Sequence, residues 1–118
     1  MVVEPTPLSA NNPRIASLRR LTGRRKARLE AGRFVIEGPV PILELLTADA
    51  VLDEVYVDLD RWTDADDTDP VRVLVGEAHH RGIQVWGLSG SVFASVSDAG
   101  TPQGVLALVE RVPAAIDS

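Results

Sequence analysis

Four short apolar runs alternate with four segments of helical spacing, and this alternation constrains the fold more than any other feature of the chain. The runs are "RFVIEG" (33–38), "LDEVYVD" (52–58), "IQVWGL" (83–88) and "GVLALVE" (104–110). Their length and β-branched content predict buried strands. Ahead of the first run, Asn12 and Pro13 form a helix start, and Ile15, Leu18 and Leu21 follow at helical spacing. Gly38-Pro39 opens a second helix, in which Ile42, Leu43, Leu45 and Leu46 cover most of the girth. Residues 70–82 give the cleanest helical stripe, Val71, Leu74, Val75 and Ala78, closed by Gly82. A short fourth helix is predicted over 90–98, capped by Ser89. The order α-β-α-β-α-β-α-β predicts an α/β fold with a mainly parallel sheet and helices on its faces.

The charge is distributed as unevenly as the fold signals are regular. The chain has a formal net charge of −5, yet eight of its twelve Lys and Arg residues lie between Arg14 and Arg33. They are Arg14, Arg19, Arg20, Arg24, Arg25, Lys26, Arg28 and Arg33. Residues 1–33 carry a net of +6 and residues 34–118 a net of −11. A nearly pure run of one sign points to a polyanionic partner, whether RNA, DNA or an anionic membrane. The competing reading is a solvated helix with no partner.

Several chemistries are excluded or weakly supported. With no Cys, there is no disulfide, thiolate metal site or cysteine nucleophile. His79 and His80 are adjacent on a helix and point apart, so they assemble neither a triad nor a metal pair. "GLSGS" (87–91) has Ser91 where a nucleophile elbow needs Gly. "DLDRWTDADDTDP" (58–70) reads as an acidic loop, because it fails the spacing of a calcium loop. No apolar stretch reaches the ~18 residues of a spanning helix, and "MVVEPTPLSANNP" lacks a signal-peptide layout. These features predict a single soluble cytoplasmic domain without catalytic residues or a metal.

The order of the pieces resembles a known module. "NPRIASLRRL", "RRKARLEAGRFVIEGPVPILELL", "LDEVYVD", "RGIQVWGLS" and "SDAGTPQGVLALV" are similar to the N-terminal RNA substrate-binding domain of SpoU/TrmH-family RNA 2′-O-ribose methyltransferases, of the SPOUT class. Thiostrepton-resistance 23S rRNA methyltransferases belong to the same group. The likeness runs from about Asn12 to Val109, and its most specific parts are "GRFVIEG" and "TPQG" (Thr101–Gly104). The chain departs from the family in two places: Ala16 stands where Lys is frequent, and Val40, Pro41 and Ile42 replace polar or basic residues at the start of a helix.

The resemblance implies a three-layer α/β/α sandwich with a small, mainly parallel or mixed four-stranded sheet, like the kink-turn-binding ribosomal proteins, behind a basic N-terminal helix. It implies a flexible lead-in over 1–11, an RNA substrate-binding domain over 12–110, and the start of a linker over 111–118. S-adenosylmethionine and the methyl transfer are implied for a knotted C-terminal catalytic domain absent from these residues, so this chain is expected to bind RNA without catalysis. The expected RNA-binding residues are the eight cations of 14–33. The expected partner is rRNA in preference to tRNA, with no membrane, a monomeric domain and a homodimeric parent. A freestanding ribosomal-protein-type RNA-binding module and a protein-interaction domain are the alternatives.

Overall fold

The first helix begins where the sequence places it. In the computed structural model, which describes residues 4–23, 32–97 and 102–111, Asn12 Oδ1 accepts a hydrogen bond from Arg14 N at 2.9 Å. That contact satisfies one of the unpaired donors of helix α1 (Pro13–Gly23). Helix α2 (Pro39–Thr47) follows strand β2 (Phe34–Glu37), with Pro39 in its first turn where no intrahelical donor is lost. Strand β3 (Val51–Asp58) leads into a short helix α3 (Leu59–Asp64), and then into α4 (Pro70–His80). Strand β4 (Gln84–Leu88), helix α5 (Gly90–Val96) and strand β5 (Val105–Arg111) complete the order. Ser89 caps α5, its hydroxyl accepting from Val92 N at 3.4 Å.

The sheet is mixed and has five strands rather than the expected four. Its order is β1-β4-β3-β5-β2, with β1 (Thr6–Pro7) added at the edge beside β4. β1, β4 and β3 run parallel, whereas β5 is antiparallel to both of its neighbours. The fifth strand exists because Leu8 N reaches Gly87 O at 2.9 Å, and because Glu4 accepts from the Trp62 indole at 2.8 Å.

The acidic segment after β3 is a second correction, since six of its residues form α3 and not a loop. Asp58 caps it by accepting from Asp60 N and Arg61 N. Trp62 then drives it onto the domain, at 5% exposure, with the Arg72 guanidinium 4.2 Å from its ring centre.

Helices cover both faces, so the architecture is an α/β/α sandwich. On one face Ile42 and Leu46 of α2 and Val71, Leu74, Val75 and Ala78 of α4 pack against Val55, Val57, Val105 and Ala107. On the other, Ile15, Leu18 and Leu21 of α1 and Phe93 and Val96 of α5 pack against Tyr56, Leu88, Leu106 and Leu108. Strand alternation would place Leu52 and Glu54 on the same face. A bulge prevents this: Leu52 pairs with Val109 and Glu54 with Leu108, leaving Asp53 without an opposite partner. Leu52 therefore joins the α2/α4 core while Glu54 turns to the α1 side.

Candidate nucleic-acid interface

The re-aimed Glu54 becomes the hub of a polar network beneath α1. Its Oε2 accepts from Arg14 Nε at 2.8 Å and from the Trp86 indole, and its Oε1 accepts from the Tyr56 hydroxyl at 2.8 Å. The Arg14 guanidinium also lies 4.7 Å from the centre of the Trp86 ring. Burial pushes the Glu54 carboxyl up, but hydrogen bonds from Arg14, Trp86 and Tyr56, with the Arg14 charge, outweigh it and hold the group below the usual range. Burial raises the Tyr56 phenol, and its hydrogen bond to Glu54 and that carboxylate's charge raise it further, so it stays protonated.

A second acid group sits at the bulge. Arg33 Nε lies 3.1 Å from Asp53 Oδ2. Burial raises the Asp53 carboxyl, and a hydrogen bond with Glu110 adds to that, against the opposing charge of Arg33. Consecutive residues of β3 thus engage cations from opposite ends of the basic segment, Arg14 and Arg33.

Between α1 and the sheet the network floors a cleft of about 270 Å³. Its lining comes from Pro13, Arg14, Ser17, Leu18 and Leu21 of α1, from Arg33, and from Glu54, Tyr56 and Leu108 of the sheet. Among the described residues no cluster of three or more His, Asp or Glu is placed to hold a metal. No described helix is long and apolar enough to cross a membrane.

The expected cations separate into three kinds. Arg14 and Arg33 are half exposed and paired with acids. Arg19 is exposed and directs Nε and Nη2 at Ser95 Oγ, at 3.2 and 2.8 Å, a neutral partner. Arg20 is exposed and makes no contact with a charged group among the described residues. Arg24, Arg25, Lys26 and Arg28 lie outside the described residues. Glu54, Tyr56, Trp86 and Asp53 were not anticipated as site residues. The one signal for Asp53, Glu54 and Tyr56 was acidic residues inside an otherwise apolar strand, "LDEVYVD".

The two short motifs that carry the resemblance meet at the opposite end of the sheet. Glu37 Oε2 accepts from Gln103 N at 2.7 Å, and Glu37 Oε1 accepts from Ser97 Oγ at 2.6 Å. Gly38 N donates to Val105 O at 3.0 Å. Gly38 and Gly104 have φ of 108° and 84°, conformations that a side chain would strain. A Cβ at Gly104 would also stand 2.3 Å from Arg61 Cδ. Glu37 therefore ties β2 to the segment that enters β5.

Comparison with known proteins bears on the family and the fold. The model of the MRM3-like substrate binding domain family matches residues 12–107. A solved RNA 2′-O ribose methyltransferase is 27% identical with a TM-score of 0.66, covering 93% of this chain and 38% of its own. An rRNA methyltransferase from Sinorhizobium meliloti is 20% identical with a TM-score of 0.67, covering 92% of this chain and 37% of its own. The SpoU methyltransferase AviRb from Streptomyces viridochromogenes, solved with AdoMet, is 20% identical with a TM-score of 0.65, covering 86% and 34%. No curated protein sequence matches the chain. The chain spans less than two fifths of the length of these solved structures. With the family match extending over most of its length, the chain belongs to the MRM3-like substrate-binding domain family, as its resemblance to the SpoU/TrmH methyltransferases implied.

Proposed function

We propose that this chain is the RNA-recognition domain of an S-adenosylmethionine-dependent RNA 2′-O-ribose methyltransferase, and that it grips its substrate through the phosphates around α1. One observation carries the reading. Ile15, Leu18 and Leu21 bury the inner side of α1, and Arg19 and Arg20 are left exposed within a stretch, 1–33, of net charge +6. Docked in this way, the helix presents cations without using them in the core. The family match supports a substrate-binding role, and the relatives described as RNA and rRNA methyltransferases support RNA, rRNA foremost, as the partner. Cofactor binding and methyl transfer belong to a part of the parent protein outside this chain, in keeping with the AdoMet-bound relative. The isolated domain acts as a monomer, its parent as a homodimer in the cytoplasm.

Salt titration of RNA binding tests the reading. If three to five of the eight cations meet phosphates, log affinity falls against log salt with a slope of about −2 to −4. Replacing Arg24, Arg25 and Lys26 with Ala should flatten that slope by up to about 2. A folded triple variant with unchanged affinity and slope would make the basic run a solvated surface.

A further inference from the structure

The cleft beneath α1 has a chemistry different from that of a phosphate site. Each of its guanidiniums already has a carboxylate, Arg14 with Glu54 and Arg33 with Asp53. Its local charge is therefore close to balanced, and an anion gains little by entering. Part of its lining, from Leu18 and Leu21 on the helix and Leu108 on the sheet, is apolar, which suits a flat neutral ring lying between the two. A volume of about 270 Å³ accommodates one ring system.

The floor then selects among rings. The Tyr56 hydroxyl donates its proton to Glu54 Oε1 at 2.8 Å, so the phenolic oxygen retains lone pairs to accept with. Glu54 Oε1 takes that one donor and keeps a second acceptor site, while Oε2 is already engaged by Arg14 and Trp86. Two acceptors 2.8 Å apart are complementary to two adjacent N–H donors. Among the four RNA bases, guanine alone presents such a pair on its Watson–Crick edge, at N1–H and the N2 amino group. Uracil would turn carbonyl oxygens toward the same acceptors. Unpaired bases splayed from the strand are what sequence-specific RNA-binding proteins read.

We infer that the cleft between α1 and the sheet, floored by Glu54 and Tyr56, receives an unpaired guanine of the bound RNA. This inference rests on the RNA-recognition reading above and adds a base-specific contact to the phosphate contacts.

The test uses the whole 118-residue chain and short uridine-rich RNAs that differ only in one central base. Fluorescence anisotropy at low salt should show the guanine-bearing RNA binding about five- to tenfold tighter than the all-uridine RNA, with adenine and cytosine between them. Glu54→Gln replaces an acceptor oxygen with a donor amide and should abolish the preference. Ser17 of α1 also lines the cleft, so Ser17→Phe should fill it and abolish the preference too, leaving the salt dependence of the all-uridine RNA unchanged. Should Glu54→Gln fail to fold, as judged by circular dichroism, Ser17→Phe decides, and a guanine preference that survives Ser17→Phe overturns the inference. Equal affinity for all four RNAs with a normal salt slope overturns the guanine pocket and leaves RNA recognition standing. Binding to none of them overturns both.

Discussion

Replacing Arg20 with Ala should flatten the salt dependence of RNA binding, whereas replacing Arg14 with Ala should leave it nearly unchanged. Both residues stand on α1 and both are exposed. They differ in what already balances them. Arg14 holds Glu54 at 2.8 Å and stacks against Trp86, so the pair brings almost no net charge to a phosphate. Arg20 has no charged partner among the described residues, so a phosphate it meets sheds condensed counterions. That release is worth about 0.7 in the log–log slope for single-stranded RNA and about 0.9 for a duplex. Arg20→Ala should therefore reduce the slope by about that amount, and by similar amounts for RNAs of different sequence. Arg14→Ala should instead lower thermal stability, because it removes a donor from a partly buried carboxylate. The assay is anisotropy across a salt series with both variants checked for folding. Equal slope changes for the two variants would refute this division between free and engaged cations.

The docking of α1 gives another prediction. Leu18 is 1% exposed against the α5 side of the sheet, so Leu18→Ala should destabilise the domain by about 2–5 kcal/mol in denaturant unfolding. A cost below about 1 kcal/mol would show that α1 is not held by its apolar stripe. Acid unfolding should separate the two neighbouring carboxylates of β3. Glu54 has a lowered carboxyl pKa, so it contributes stability above its unfolded value of about 4.3 that is lost as pH falls through the folded value. Asp53 is raised, so its contribution is present in acid and lost as pH rises through its folded value. Urea titrations from about pH 3 to 7 should thus show a shallower acid limb for Glu54→Gln and a steeper one for Asp53→Asn. Shifts of the same sign would contradict the network described around the bulge.

How much of this was legible in the sequence depended on whether a signal was local. Val71, Leu74, Val75 and Ala78 are all fully buried, as their spacing required, and Asn12 and Ser89 cap the helices they precede. The four expected strands lie within one or two residues of their apolar runs. Helix α3 was obscured because its acidic residues outnumber its single anchor, Trp62, which supplies the burial that propensity lacks. Strand β1 is two residues long and ends in Pro7, too short for periodicity to register. The antiparallel setting of β5 depends on the partner it finds, and an alternating order alone reads as parallel. In the site, the charge run was plain, but the pairing of Arg14 with Glu54 spans forty positions and requires a bulge that no local pattern announces. The likeness of "GRFVIEG" and "TPQG" to family motifs pointed to the family, and the two segments meet through the hydrogen bond from Gln103 N to Glu37.

The position of β5 has a consequence for how such a domain emerges during synthesis. Among the described residues it is the last strand, yet it lies between β3 and β2, and β2 pairs with no other described strand. A growing chain can bring β3 and β4 together through α4, but β2 must wait for residues 105–111. At roughly 5–20 residues per second, that delay is on the order of 3–14 s after β2 itself has been made. Meanwhile Phe34 and Ile36 have no strand beside them, and the adjoining run of cations keeps this incomplete edge highly charged. Positive charge beside an unpaired apolar strand discourages self-association, so the residues assigned to gripping RNA would also protect the nascent chain until its final strand arrives.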